Sequence, residues 1–60
     1  MQPFVSVGDY VVYTRSPSAV HRGLVVGRER PENFSYWLIS VLIDNGEIIE
    51  TFETFLEKIQ

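Results

Sequence analysis

The chain contains no cysteine. Disulfide staples and thiolate metal sites are therefore excluded, and 60 residues must be held together by packing alone. Histidine occurs once, at His21, and one imidazole cannot assemble a metal centre. No serine sits in a Gly-x-Ser-x-Gly elbow. No apolar run approaches the ~20 residues that span a bilayer. The opening Met1-Gln2-Pro3-Phe4-Val5-Ser6 has neither a basic region nor a long apolar one, so it does not read as a signal peptide. Asn33-Phe34-Ser35 has the form of a glycosylation sequon, which without export is a chance match. Low-complexity tracts, internal repeats and linkers are also missing. These absences lead to one soluble cytoplasmic domain over residues 1–60, with no cofactor and no catalytic machinery.

What is present is β-forming. Trp37-Leu38-Ile39-Ser40-Val41-Leu42-Ile43 and Ile48-Ile49-Glu50-Thr51-Phe52 flank Asp44-Asn45-Gly46-Glu47. Asn-Gly between two β-rich runs is the strongest short hairpin signal, because both residues tolerate the positive φ of a type I′ turn. A two-residue turn places Ile43 opposite Ile48, Val41 opposite Glu50 and Ile39 opposite Phe52. Alternation then assigns Trp37, Ile39, Val41, Ile43, Ile48 and Phe52 to the core face, with Glu50 as its misfit. Leu38, Ser40, Leu42, Ile49 and Thr51 fall on the other face.

Upstream, Val7-Gly8-Asp9 enters a strand through Tyr10-Val11-Val12-Tyr13-Thr14, all β-branched or aromatic. Arg15-Ser16-Pro17-Ser18-Ala19 reads as a loop. Arg22-Gly23-Leu24-Val25-Val26-Gly27-Arg28 is a second strand whose glycines mark bends or close backbone approach. Glu29-Arg30-Pro31-Glu32-Asn33 is the next loop. After Phe52 there is room for one 3₁₀ turn, and Leu56 to Ile59 closes the chain as a short strand. A helix from Glu50 to Ile59 competes, but its nucleation costs more than a lone ten-residue segment returns. The sum is an all-β fold of five strands, with the first and last able to pair and close a barrel.

This order of signals resembles the SH3-like small barrels, which read as a "GD-x-V" strand, a "G-x-V" strand, a "V-x-F/W-D-G" hairpin and a terminal "L-E-x-I". The matching residues are Val7-Gly8-Asp9-Tyr10-Val11, Gly23-Leu24-Val25-Val26, Val41-Leu42-Ile43-Asp44-Asn45-Gly46 and Phe55-Leu56-Glu57-Lys58-Ile59. The opening strand is most similar to the RNA-polymerase-interacting domain of CarD proteins, and Val20-His21-Arg22-Gly23 matches that family's "H-G-x-G" turn in part. The resemblance implies a five-stranded SH3-like barrel with one short 3₁₀ turn before the last strand. It implies partners such as RNA polymerase or a photosynthetic or redox complex, or, for KOW-type relatives, nucleic acid. Stand-alone bacterial and phage barrels look similar too.

Function must then come from the surface. Residues 1–31 carry Arg15, Arg22, Arg28 and Arg30 against Asp9 and Glu29, a balance of +2. Residues 32–60 carry Lys58 against Glu32, Asp44, Glu47, Glu50, Glu53 and Glu57, a balance of −5. One reading is solvated strand faces that maintain solubility; the sharper one is an arginine patch that receives an acidic partner. Tyr10, Phe34 and Tyr36 point outward or sit at loop edges. With Arg22, Arg28 and Arg30 they form a candidate protein-binding patch of the residue types enriched at hot spots. The competing reading makes these rings caps of the barrel ends. Nucleic acid ranks below a protein partner, because four arginines are few and the hairpin-side glutamates repel a strand. His21, beside Arg22, reads as a loop-end surface residue. Leu38, Leu42 and Ile49, with Val12 and Leu24, form an apolar second face that predicts cover by Phe4 and the N-terminal arm, self-association or a partner.

Overall fold

A computed structural model describes residues 5–59. Its elements are β1 (Tyr10–Ser16), β2 (Ala19–Glu29), β3 (Leu38–Ile43), β4 (Ile48–Phe52), a 3₁₀ turn (Glu53–Phe55) and β5 (Leu56–Lys58). All strand pairs are antiparallel, in the order β4-β3-β2-β1-β5. The expected pairing of first and last strands is present, Val12 lying opposite Glu57. The sheet is nevertheless open, with β4 and β5 as its two ends. The competing C-terminal helix does not form. No helix among the described residues is long and apolar enough to cross a membrane.

The expected loop at Arg15–Ala19 shrinks to Pro17-Ser18, because Ser16 pairs with Ala19 and both strands run to the turn. β2 is correspondingly longer than the expected strand Arg22–Arg28 and takes in Ala19–Glu29. It pairs with β1 through its first half and with β3 through its second, and a bulge at Val26 puts two residues against one. Gly23 stands where both pairings overlap. A Cβ there would lie 2.5 Å from Val41 Cγ1 and 2.6 Å from the Leu42 carbonyl oxygen, so only glycine fits. This is the close approach the sequence predicts. Gly27 differs, since its Cβ would make ordinary contact with Ser40.

The hairpin corrects the two-residue turn. Gly46 N–H donates to the Ile43 carbonyl and Ile43 N–H to the Glu47 carbonyl, both at 2.9 Å. Gly46 has φ 91°, while Asp44 and Asn45 keep negative φ. The loop therefore has three residues, with glycine as the left-handed bulge position. Asn45 Oδ1 accepts from Glu47 N–H and sharpens the same corner. One residue of loop shifts the register by one, and the shift flips every β4 side chain. Ile39 faces Thr51, Ser40 faces Glu50, Val41 faces Ile49 and Leu42 faces Ile48. Ile49 and buried Thr51 therefore join the core side, whereas Ile48 is 65% exposed. Glu50 ceases to be a misfit and faces water.

The core is Val5, Val11, Val25, Ile39, Val41, Ile43 and Leu56, with Tyr13, Trp37 and Ile49 packed against it. Val5, from the N-terminal segment, is only 4% exposed. Its N–H donates to Glu53 Oε2 at 3.0 Å, which ties the entry of the chain to the 3₁₀ turn. Cover of the second face by Phe4 lies outside the described residues.

Candidate functional site

The six candidate residues divide into groups. Tyr10 and Arg22 lie on the outer face of β1 and β2, as Tyr10 pairs with Leu24 and Val12 with Arg22. Both are exposed. Phe34 and Tyr36 belong to the loop before β3, 45% and 61% exposed respectively. Both rings meet Phe52, which the corrected register puts on the outer face of β4. The Tyr36 ring is edge-on to Phe52 with centroids 5.7 Å apart, and the Phe34 ring is tilted at 6.5 Å. Such offset and edge geometries suit the quadrupoles of aromatic rings. Open grooves flank Tyr36, one lined by Asn33, Phe34 and Phe52 and the other by Phe52 and Thr54.

Arg28 goes elsewhere. It pairs with Ile39 near the end of β2, half-buried, and its guanidinium lies 4.5 Å from the centre of the Trp37 ring. The cation–π contact holds the indole over the end of the core. Arg30 is exposed immediately after β2. The six residues are thus not one patch. Phe34 and Tyr36 form an aromatic corner, Arg28 braces Trp37, and Arg22 on β2 and Tyr10 on β1 stand two and three strands from β4, roughly 10 and 14 Å at ordinary strand spacing. The sequence reading missed Phe52, the ring that joins the corner. A three-residue reading of Asp44-Asn45-Gly46, equally compatible with Gly46, would have turned it outward.

His21 sits within β2 rather than at a loop end. Its Nδ1 is 3.0 Å from Asp44 Oδ1 in the β3–β4 turn. A carboxylate only accepts, so Nδ1 carries the proton. This hydrogen bond, with a further one from the Arg22 backbone, lowers the Asp44 carboxyl below its ordinary value. Among the described residues, no group of three or more His, Asp or Glu side chains is placed to hold a metal ion.

The apolar second face is also redrawn. Ile49 leaves it for the core and Ile48 replaces it, which gives the cross-strand row Tyr10, Leu24, Leu42 and Ile48 over β1 to β4. Leu24 is half-buried and Leu42 is 38% exposed. No protein-family profile, curated protein or solved structure matches the chain.

Proposed function

We propose that this chain is a non-enzymatic, cytoplasmic protein-binding module built on an SH3-like barrel plan. The observation that carries the reading is the corner of Phe34, Tyr36 and Phe52, where rings stand in contact yet two remain about half exposed or more. A domain this small has little apolar surface to spare, so rings left in water are poised to lose it against a partner. The barrel plan draws support from the strand order, from the long bulged β2 shared by both halves, and from the 3₁₀ turn before β5. A partner in transcription or in a photosynthetic or redox complex rests on the resemblance alone. The nucleic-acid reading is weaker. Arg22 lies two strands from the aromatic corner and Arg28 is engaged with Trp37, so no arginine track runs beside the rings.

The test compares capture from host lysate by the wild-type chain and by the Phe34→Ala/Tyr36→Ala variant. Both positions are exposed, so folding should survive, at about 0.5–1.5 kcal/mol per site for the lost ring contact with Phe52. A protein captured by wild type and reduced at least ~10-fold by the variant supports the reading. Titration with short single-stranded DNA and RNA provides the counter-test. Salt-sensitive amide shifts at Arg22, Arg28 and Tyr36 would overturn the preference for protein.

A further inference from the structure

β4 is a terminal strand, and hydrogen-bond parity shows what its outer edge presents. Ile43 N–H donates to Glu47 O, so Glu47, Ile49 and Thr51 turn their backbone groups toward β3. Ile48, Glu50 and Phe52 therefore direct theirs away from the sheet. The Phe52 carbonyl lies at the start of the 3₁₀ turn, which leaves its N–H together with both groups of Ile48 and Glu50. Among the described residues, no strand pairs with this edge. The same three side chains lie on the outer face, so the edge alternates apolar, acidic, apolar.

Natural edges are blunted by charged side chains, lysine above all, and by proline, bulges or inward charges. Of these β4 has a single charge, the central, outward-facing Glu50, which repels an acidic strand and favours a basic one. Residues 44–57 hold Asp44, Glu47, Glu50, Glu53 and Glu57 and no lysine or arginine. A second copy is disfavoured here. The one antiparallel register that pairs all five β4 residues about a two-fold axis sets Glu50 opposite Glu50, and like charges directly opposite destabilise a sheet. A strand with a cation at that position does the reverse.

We propose that the β4 edge receives an extended segment of another protein, antiparallel, with lysine or arginine opposite Glu50 and apolar residues opposite Ile48 and Phe52. Main-chain bonds to Ile48, Glu50 and Phe52 supply affinity, and the alternating side chains supply selectivity. The inference rests on the protein-binding reading and names the chemistry of the partner.

The probe is the capped peptide Ac-Thr-Leu-Thr-Lys-Thr-Val-Thr-NH₂, with a counterpart carrying Glu for Lys. At about ten times its Kd, the Lys peptide should slow hydrogen exchange of the Ile48, Glu50 and Phe52 amides ~10-fold. The Ile49 and Thr51 amides, already bonded to β3, should not change. The Glu peptide should bind at least ~5-fold more weakly, and Glu50→Lys should reverse the preference. Because Glu50 is exposed, that variant keeps the remaining amide spectrum. Equal slowing by both peptides, or none by either, overturns the proposal. So does slowing without peptide, whether it grows with protein concentration (a second copy on the edge) or is constant (cover by the chain itself). If the edge ignores the peptides while capture still depends on Phe34 and Tyr36, this inference falls and the protein-binding reading stands.

Discussion

Gly23 and Asp44 show how single positions are constrained by neighbours distant in sequence. At Gly23 the constraint is steric. A methyl group would overlap Val41 Cγ1 and the Leu42 carbonyl at the overlap of the two β2 pairings, where backbone cannot yield cheaply. Gly23→Ala should therefore cost about 1–3 kcal/mol, read as a lower urea midpoint at unchanged slope. At Asp44 the constraint is electrostatic. The His21 hydrogen bond stabilises the charged carboxylate and depresses its pKa in the folded chain. A depressed carboxyl contributes stability above its unfolded value, near 3.8, and loses that contribution as pH falls through the lower folded value. Thermal midpoints of wild type and Asp44→Asn, followed from pH 7 to pH 2, should converge across the acid end of that range. A constant gap would show that the carboxylate charge is not what matters.

At the scale of elements, the β3–β4 hairpin decides most. Its loop length sets the β4 register, and the register sets which of two adjacent isoleucines is core. Ile49 packs against the core cluster while Ile48 is 65% exposed, so truncating the two should give unequal costs. Ile49→Ala should cost about 2 kcal/mol or more and Ile48→Ala about 0.5 kcal/mol or less, by chemical denaturation. The two-residue turn predicts the opposite ranking. The same register turns Phe52 out to meet Phe34 and Tyr36 and puts Glu50 at the centre of an exposed edge. Both proposed contact surfaces therefore depend on Gly46 at φ 91°. Strand existence was legible from β-branched and aromatic runs, and the 3₁₀ turn and β5 from the short spacing after Phe52. Turn type was not, since Asn-Gly is compatible with loops of two and of three residues and only the backbone hydrogen bonds distinguish them.

For the molecule as a whole, seven buried apolar side chains among the described residues form the core, and one of them comes from outside every strand. Val5 is 4% exposed and its N–H is held by Glu53, so the segment that leads from residue 5 into β1 is part of the packing. Val5→Ala should cost about 1.5–3 kcal/mol, visible as a fall in thermal midpoint, a large share of the stability available to a domain of this size. Glu53→Gln separates the two roles of the segment. Its amide oxygen can still accept from the Val5 N–H, so it should cost less than Val5→Ala in the same measurement.

By itself the sequence determined the all-β class, the five strands and the absence of cysteine chemistry. Each of these follows from residue identity or from spacing within a few residues. The tertiary structure decided the β4 register, the union of Phe34 and Tyr36 through Phe52, the stacking of Arg28 on Trp37 and the burial of Val5. It also decided that the sheet ends at β4 and β5 as an open ladder. All of these depend on which residues meet across strands, and alternation along one strand is identical for two registers that place opposite faces in the core.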